Sequence, residues 1–202
     1  MPTELTPNLR EQIVSHLRRR ILGGEFHPGE SLIEATFSQE FGVSRGPIRD
    51  AFLTLSKEGL LIAKPNVGVK VAPAPSPFKR ALAIDLRRTI ESAVLTRWFE
   101  APDKQLVAGL RRNLHEYEKV CSAGTDMARV VEVDMDFHRL IVGSVDEGRV
   151  LYLWQPVIMQ TFLRYSRHRT LMESHAEHAA IFASIEAGEI KEAVRRLVTH
   201  IQ

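Results

Sequence analysis

Three prolines at alternate positions, in Ala72-Pro73-Ala74-Pro75-Ser76-Pro77, constrain the folding of this chain more than any other feature of its sequence. Proline fixes φ and lacks a backbone donor, so the stretch cannot form a helix interior and favours an extended, semi-rigid connector. The chain has 202 residues and 44% apolar content, which is enough for two separate cores. We therefore predict two domains, residues 1–72 and 79–202, joined by a linker at residues 73–78.

The first domain shows three helical patterns and one strand pair. Four apolar residues recur at every fourth position and predict a helix that ends at Gly23-Gly24, namely Leu9, Ile13, Leu17 and Ile21. Ser31 is the predicted N-cap of a second helix, and Pro47 lies in the first turn of a third. Two short apolar runs, 60–63 and 67–71, then predict a β-hairpin.

The predicted third helix carries two arginines, Arg45 and Arg49, on one face because they are four residues apart. Gly42 can supply the left-handed turn before this helix, and Ser44 can cap it or donate to a phosphate. Arginine makes bidentate contacts with guanine and with phosphate. The pattern indicates a helix-turn-helix that reads the major groove of DNA, with a merely solvated helix as the alternative.

Composition narrows the class of protein. Lys and Arg outnumber Asp and Glu in residues 1–80 (11 against 8) but not in residues 81–202 (16 against 17), which suits a first domain that binds nucleic acid. Cys121 is the single cysteine, so no internal disulfide can form. No apolar run approaches the ~20 residues that span a bilayer, and the N-terminus lacks a secretory signal pattern. We expect a soluble, cytoplasmic protein.

The second domain shows helical periodicity only, and we predict an all-α bundle. The first of its helices is predicted from a stripe of Leu82, Leu86, Ile90, Val94 and Trp98. The helical runs that follow are Leu106–Val120, Met127–Val142, Arg149–Arg169, Glu173–Ala187 and Glu189–Ile201.

Four side chains with metal-binding atoms lie on inward faces of three of these helices, namely Asp134, His138, His178 and His200. One carboxylate and three imidazoles suit a divalent ion such as Zn, Ni, Mn or Fe, with positions left for water or a ligand carboxylate. Each histidine could instead be a hydrogen-bonded core residue. Asp136, off the inward stripe, and His175 are nearby alternatives.

The first 70 residues resemble the GntR-type winged helix. The matching segments are Ile21-Leu22-Gly23-Gly24, Pro28-Gly29-Glu30-Ser31-Leu32, Phe41-Gly42-Val43-Ser44-Arg45-Gly46-Pro47-Ile48-Arg49-Asp50-Ala51, Glu58-Gly59-Leu60 and Gly68-Val69-Lys70-Val71. The departures are Phe37 and Phe52 for leucine, Asp50 for glutamate, and Val67 where the wing tip often carries arginine.

This resemblance implies a homodimer whose two recognition helices read an inverted repeat in double-stranded operator DNA. Arg45 and Arg49 would contact bases or phosphates, with Ser44 at the helix N-terminus. The Gly68 wing would approach the minor groove, and Lys64 and Lys70, which flank it, are further candidates for phosphate contact.

Residues 80–202 resemble the FCD sensing domain of the FadR-like branch of these regulators. The resemblance is carried by Asp134-Met135-Asp136-Phe137-His138, by Glu177-His178 and by His200. It implies that Asp134, His138, His178 and His200 bind the metal and that Arg87, in Leu86-Arg87-Arg88-Thr89-Ile90-Glu91, meets an organic-acid effector. Relatives usually continue for a few turns after the last histidine, whereas this sequence stops at Gln202.

These patterns predict a DNA-binding transcriptional regulator, a repressor whose operator affinity changes when a small carboxylate binds at a metal site, and not an enzyme. Two alternatives stay open at this point. A metal-dependent hydrolase would explain the ligands, but the sequence has no His-Glu-x-x-His motif and a hydrolase needs no DNA-reading head. A constitutive DNA-binding protein with a purely structural metal would explain both the DNA-reading helix and the metal-binding side chains without an effector.

Overall fold

The computed structural model describes residues 9–64, 68–124, 126–162 and 170–202. The chain divides between Ala74 and Pro75 into two compact units, and each is described by itself. Within the described residues, no helix combines the length and the apolar character that crossing a bilayer requires.

The described residues of the first unit form three helices, α1 (Leu9–Leu22), α2 (Glu34–Phe41) and α3 (Arg45–Lys57). The predicted apolar stripe of α1 is confirmed at Ile13, Leu17 and Ile21, which are buried, whereas Leu9 is half exposed at the start of the helix. The buried face of α3, formed by Ile48, Ala51, Phe52 and Leu55, packs against α1. These apolar contacts fix the position of α3 and leave its opposite face in solvent.

A three-stranded antiparallel sheet follows, in the order β1-β3-β2, built from β1 (Ser31–Leu32), β2 (Leu61–Lys64) and β3 (Gly68–Val71). The hairpin of β2 and β3 agrees with the prediction, although Val67 lies outside the described residues. The prediction for Ser31 is wrong. Ser31 does not cap α2 but pairs with Lys70 in β1, and Ile33 occupies the N-cap position.

In the described residues of the second unit, all the regular secondary structure is helical, as predicted. Its elements are α4 (Pro77–Glu100), α5 (Lys104–Ala123), α6 (Met127–Val142), a 3-10 turn (Asp146–Gly148), α7 (Leu151–Phe162), α8 (Leu171–Glu186) and α9 (Ile190–His200). Side-chain caps set several starts: Ser76 accepts from the Lys79 amide, and Thr170 forms a capping box with Glu173. Pro77, which the sequence assigns to the linker, is the first residue of α4, where a missing amide hydrogen costs nothing.

The predicted inward stripe of α4 is wrong in its first half. Leu82 and Leu86 are 48% and 42% exposed, and Arg87 and Glu91 are buried in their place. The helix is rotated because the two charged side chains pair with each other and with groups on α6 and α7. Val94 and Trp98 are buried as predicted, in the half of α4 that packs on the main core.

Candidate metal centre and nucleic-acid interface

The turn between α2 and α3 is short and tightly bonded. Gly42 has φ +65°, a left-handed conformation that glycine adopts without strain, and its amide bonds to the carbonyls of Ser38 and Gln39. The Val43 amide bonds to the Ser38 carbonyl at 3.0 Å, and the Ser38 hydroxyl bonds back to the Val43 carbonyl. These bonds end α2 at Phe41, and α3 begins at Arg45 after three intervening residues, which is the geometry of a helix-turn-helix.

The arginines predicted to read DNA lie on the solvent face of α3. Arg45 and Arg49 are both exposed and one turn apart. Ser44 occupies the N-cap position with an extended backbone, but its hydroxyl makes no capping bond and is exposed. This end of α3 therefore presents a hydroxyl, two guanidinium groups and the positive end of the helix dipole to solvent.

The hairpin presents fewer of the predicted contacts. Gly68 pairs with Lys64, the last pair before residues 65–67 connect the two strands, and has φ +91°, where a Cβ would be strained. Lys70 is exposed. The backbone of Lys64 belongs to β2, and its side chain lies outside the part of the chain that the structure describes. Gly68 and Lys70 thus occupy exposed positions of β3, the central strand of the sheet.

In the second unit, the structure brings the four predicted ligands together. Asp134 and His138 lie one turn apart on α6, His178 projects from α8 and His200 is the last residue of α9. One potential ligand atom from each lies within 4.8 Å of all the others. Asp134, His138 and His178 are buried, and the side chain of His200 is 11% exposed.

Each of the three imidazoles makes a hydrogen bond through Nδ1. His138 donates to Oε2 of Glu91 at 2.6 Å, His178 to the Ser174 carbonyl at 2.8 Å, and His200 to Oε2 of Glu177 at 2.8 Å. An imidazole that donates from Nδ1 keeps the lone pair on Nε2 for a metal. All three rings are therefore oriented and held in the tautomer that metal binding needs.

The Nε2 atoms of His138 and His178 are buried and, among the described residues, have no hydrogen-bond partner. They lie 3.9 Å and 3.8 Å from the two carboxylate oxygens of Asp134, too far for hydrogen bonds. Two ligands of one ion at bonds of about 2.1 Å can lie up to about 4.2 Å apart. Two orphaned imidazole nitrogens facing a buried carboxylate are what a divalent transition ion would satisfy, and the donor set fits one.

A further hydrogen bond orients Asp134. The Tyr117 hydroxyl donates to Oδ2 of Asp134 at 2.9 Å and also lies 3.0 Å from the Ser174 hydroxyl. Burial opposes the charge of Asp134, yet His178 and then His138 and His200 hold the pKa of its carboxyl below the ordinary value. Asp134 is thus a carboxylate at neutral pH, the form that binds a metal.

Burial lowers the pKa values of the three histidines, because it disfavours their protonated, charged forms. It is the main cause that lowers the pKa of His178, to about 4, and the charge of His200 lowers it further. The pKa values of His138 and His200 are also lowered, chiefly by burial. Neutral imidazoles at physiological pH leave their lone pairs free for a metal.

A buried polar network adjoins this cluster. Glu91 accepts hydrogen bonds from Arg87 Nε at 2.9 Å and from Trp154 Nε1 at 2.8 Å, in addition to the bond from His138. Arg87 also donates from one terminal nitrogen to the Thr161 hydroxyl at 3.1 Å. Its other terminal nitrogen, Nη2, is buried and has no partner among the described residues. The positive charge of Arg87 lowers the pKa values of His138 and His200, so it lies within electrostatic reach of the cluster.

Sequence reasoning singled out Arg87 but missed Glu91 and Trp154. The spacing of Arg87 and Glu91, four residues apart on a predicted helix, was the available signal for a paired charge. The two alternatives lie outside the set of four. Asp136 forms a half-exposed ion pair with Arg139, and His175 packs its ring against Tyr117.

Comparison with known proteins gives matches to both units. Residues 9–71 match the family described as "Bacterial regulatory proteins, gntR family", and residues 83–202 match the FCD domain. The Gluconate operon transcriptional repressor of Bacillus licheniformis is 28% identical over 177 residues, which cover 87% of this chain and 72% of the relative. The HTH-type transcriptional repressor RspR of Escherichia coli K12 is 31% identical over 146 residues, covering 71% of this chain and 63% of the relative.

The solved structure of McbR/YncC from E. coli matches 98% of this chain and 95% of its own with a TM-score of 0.78 and 20% identity, which supports the fold.

Proposed function

We propose that this chain, which belongs to the GntR family of bacterial regulatory proteins and carries an FCD domain as its second unit, is a repressor that releases its operator when a small carboxylate binds at a metal centre. The chain is a DNA-binding transcriptional regulator and not an enzyme, because both matched families and the relatives are regulators. The hydrolase alternative is therefore set aside. Repression, the metal and the effector are the parts that we propose.

The observation that carries the proposal is the pair of buried, unpartnered Nε2 atoms of His138 and His178, which face the carboxylate of Asp134. A buried polar atom without a partner costs about 1–3 kcal/mol, so two buried Nε2 atoms that face a carboxylate beyond hydrogen-bonding distance favour a bound cation. We assign Asp134, His138, His178 and His200 as the metal ligands. When bound, a divalent ion supplies a Lewis-acid centre that takes carboxylate and hydroxyl oxygens as further ligands.

The unpartnered Nη2 of Arg87 supports a carboxylate effector. A guanidinium nitrogen that is buried without an acceptor favours a ligand oxygen, and carboxylates bind arginine with charge-assisted hydrogen bonds. The relatives that repress a gluconate operon are consistent with a hydroxy-carboxylic acid as the signal. We propose a small organic acid of this kind.

On the DNA side, we propose that the chain acts as a homodimer on an inverted repeat. Arg45 and Arg49 on the exposed face of α3 would contact bases or phosphates, with Ser44 at the helix N-terminus. Gly68 and Lys70 of the wing, together with Lys64, would approach the adjacent backbone. The acid weakens operator binding only if it binds the DNA-free protein more tightly than the DNA-bound protein. The ratio of these two affinities equals the factor by which operator affinity falls.

Metal content tests the proposed ligands. Full-length protein purified without chelator should contain about one divalent ion per subunit, and a His138→Ala, His178→Ala double variant should lose it. The matched control is a His27→Ala, His115→Ala double variant, since both of these histidines are exposed. Elemental analysis that found full metal content in the first variant would remove the assigned site. If the metal is lost but no acid alters operator binding, the structural-metal alternative is the better account.

A further inference from the structure

Glu91 is the most completely enclosed charged group of the second unit among the residues that the structure describes. Its exposure is 0%, and its two oxygens accept hydrogen bonds from three donors on three helices, Arg87, His138 and Trp154. A carboxylate that receives this many N–H groups, one of them cationic, is held in its charged form by geometry. The pairing with Arg87 is complete before any ligand arrives.

This pairing changes what Arg87 can offer to an effector. Arg87, Glu91 and Asp134 are the formally charged side chains among the buried residues that the structure describes. The charges of Arg87 and Glu91 cancel within one helical turn, so Asp134 leaves the buried cluster with one negative charge. A divalent cation would bring the total to one positive charge, which a single carboxylate neutralises. A second carboxylate would give the buried cluster a net negative charge, which is costly at low dielectric.

We propose that Glu91 is a specificity-determining residue that restricts the effector of this site to hydroxy-monocarboxylates and disfavours dicarboxylates. This inference rests on the proposed function and deepens it. The Nη2 atom of Arg87 still donates to the ligand, but as a hydrogen-bond donor whose charge is already balanced. Without Glu91, Arg87 would be an uncompensated cation in a buried site and would favour a second ligand carboxylate.

A purely structural role for the Arg87–Glu91 pair is the competing explanation. Such a pair would hold α4 against α7 through Trp154 and Thr161, and its loss would weaken every acid equally. The two explanations predict different ratios of affinity for a monocarboxylate and a dicarboxylate with the same carbon skeleton. A general loss of packing leaves this ratio unchanged, whereas the loss of the Glu91 charge changes it.

The experiment uses calorimetric titration of the full-length, metal-loaded protein with two matched pairs, gluconate with glucarate and glycerate with tartronate. Within each pair, the second acid carries a carboxylate in place of the terminal hydroxymethyl group of the first. Wild type should prefer the monocarboxylate by about tenfold or more. Glu91→Gln, which keeps the size of the side chain, should shift this ratio towards the dicarboxylate by about tenfold or more.

Two further variants separate charge from structure. Glu100→Gln removes an exposed carboxylate, paired with Arg97, from the far end of the same helix and should leave the ratio close to that of wild type. An Arg87→Gln, Glu91→Gln double variant removes both charges and should restore the wild-type ratio, even though both affinities fall. The metal content of every variant is measured in parallel. If Glu91→Gln does not fold, Arg87→Gln decides the question, because it leaves the charge of Glu91 uncompensated and should shift the ratio further towards the monocarboxylate, whereas a structural role predicts an unchanged ratio.

Wild-type protein that bound glucarate or tartronate as tightly as its partner acid would overturn the inference, as would a Glu91→Gln ratio equal to that of wild type. These results would leave the metal and the DNA-binding assignment intact. If none of the four acids binds the metal-loaded wild type, the acid-effector part of the proposed function fails and this inference falls with it.

Discussion

The guanidinium of Arg49 on α3 lies 3.3 Å from both carboxylate oxygens of Glu34 on α2, through Nε and Nη2. The arginine that we expect to read DNA is thus held by a carboxylate of its own helix-turn-helix when DNA is absent. The pairing with Glu34 raises the pKa of Arg49, so the group stays charged. Because a phosphate or a base must replace Glu34 at Arg49, this pair opposes DNA binding.

Glu34→Gln should therefore strengthen operator binding by roughly two- to fivefold, which is what the loss of one exposed ion pair allows. The matched control is Glu40→Gln, which removes the same charge from the same helix at a side chain that pairs with Arg20 instead. Fluorescence anisotropy with a labelled operator duplex measures both. Equal effects of the two variants would show that net charge is responsible and not the release of Arg49.

Arg45→Ala and Arg49→Ala should each weaken specific operator binding by roughly tenfold to a hundredfold, because each removes a guanidinium from the exposed face of α3. Binding by the wild type should fall steeply with salt concentration. Arg195→Ala, at an exposed arginine of α9 in the other unit, is the control and should bind as the wild type does. Gel shifts in which all three variants match the wild type would rule out α3 as the recognition helix.

Tyr117→Phe should weaken metal binding by about tenfold to a hundredfold without unfolding the protein, because it deletes only the hydroxyl that orients Asp134. Tyr152→Phe removes a hydroxyl from an exposed residue of α7 and should have no effect. Competition with a chromogenic chelator gives both dissociation constants. An unchanged affinity in Tyr117→Phe would mean that Asp134 needs no support from α5.

The metal-free protein should lose stability as the pH falls from about 6.5 to about 4. The folded-state pKa of His178 is about 4 against 6.5 for the free imidazole, so in this window the unfolded chain binds a proton that the folded chain does not. The free energy of unfolding then falls by up to about 1.4 kcal/mol per pH unit for this group. The lowered pKa values of His138 and His200 act in the same direction.

Urea unfolding in the presence of a chelator at pH 7, 6 and 5 measures this dependence. His178→Gln should flatten it, and His27→Gln, at an exposed histidine, should not. A slope that His178→Gln leaves unaltered would show that His178 is not held neutral in the folded protein.

Much of the fold follows from periodicity. The bounds of α6 agree with the predicted run Met127–Val142, because its apolar positions alternate at helical spacing and Asp126 caps its start. The same spacing placed Asp134 and His138 on one face. That this face meets His178 and His200 could not be derived from spacing within single helices, and for those residues the family resemblance supplied the expectation.

The predictions for Ser31 and Leu86 are wrong for the same reason. In each case, contacts with residues distant in sequence outweigh the local pattern. Ser31 fits an N-cap locally, but the backbone of β3, about 40 residues later, takes it into a sheet. Leu86 fits the apolar stripe of α4, but the face that turns inward carries Arg87 and Glu91, since Trp154 and His138 complete their hydrogen bonds. Burial of paired charges depends on tertiary contacts and leaves little trace in hydrophobic periodicity.

Release of the operator by the effector is tested by the operator dissociation constant of the metal-loaded, full-length protein, measured with and without a saturating hydroxy-monocarboxylate. The operator is selected from a random duplex library, and the acid is the tightest binder among gluconate, glycerate and lactate. We predict that the acid weakens operator binding by about tenfold or more and that operator DNA weakens acid binding by the same factor. Chelation or the His138→Ala, His178→Ala variant should abolish the effect. A tightly bound acid that leaves operator affinity unchanged would rule out regulation of DNA binding by this site.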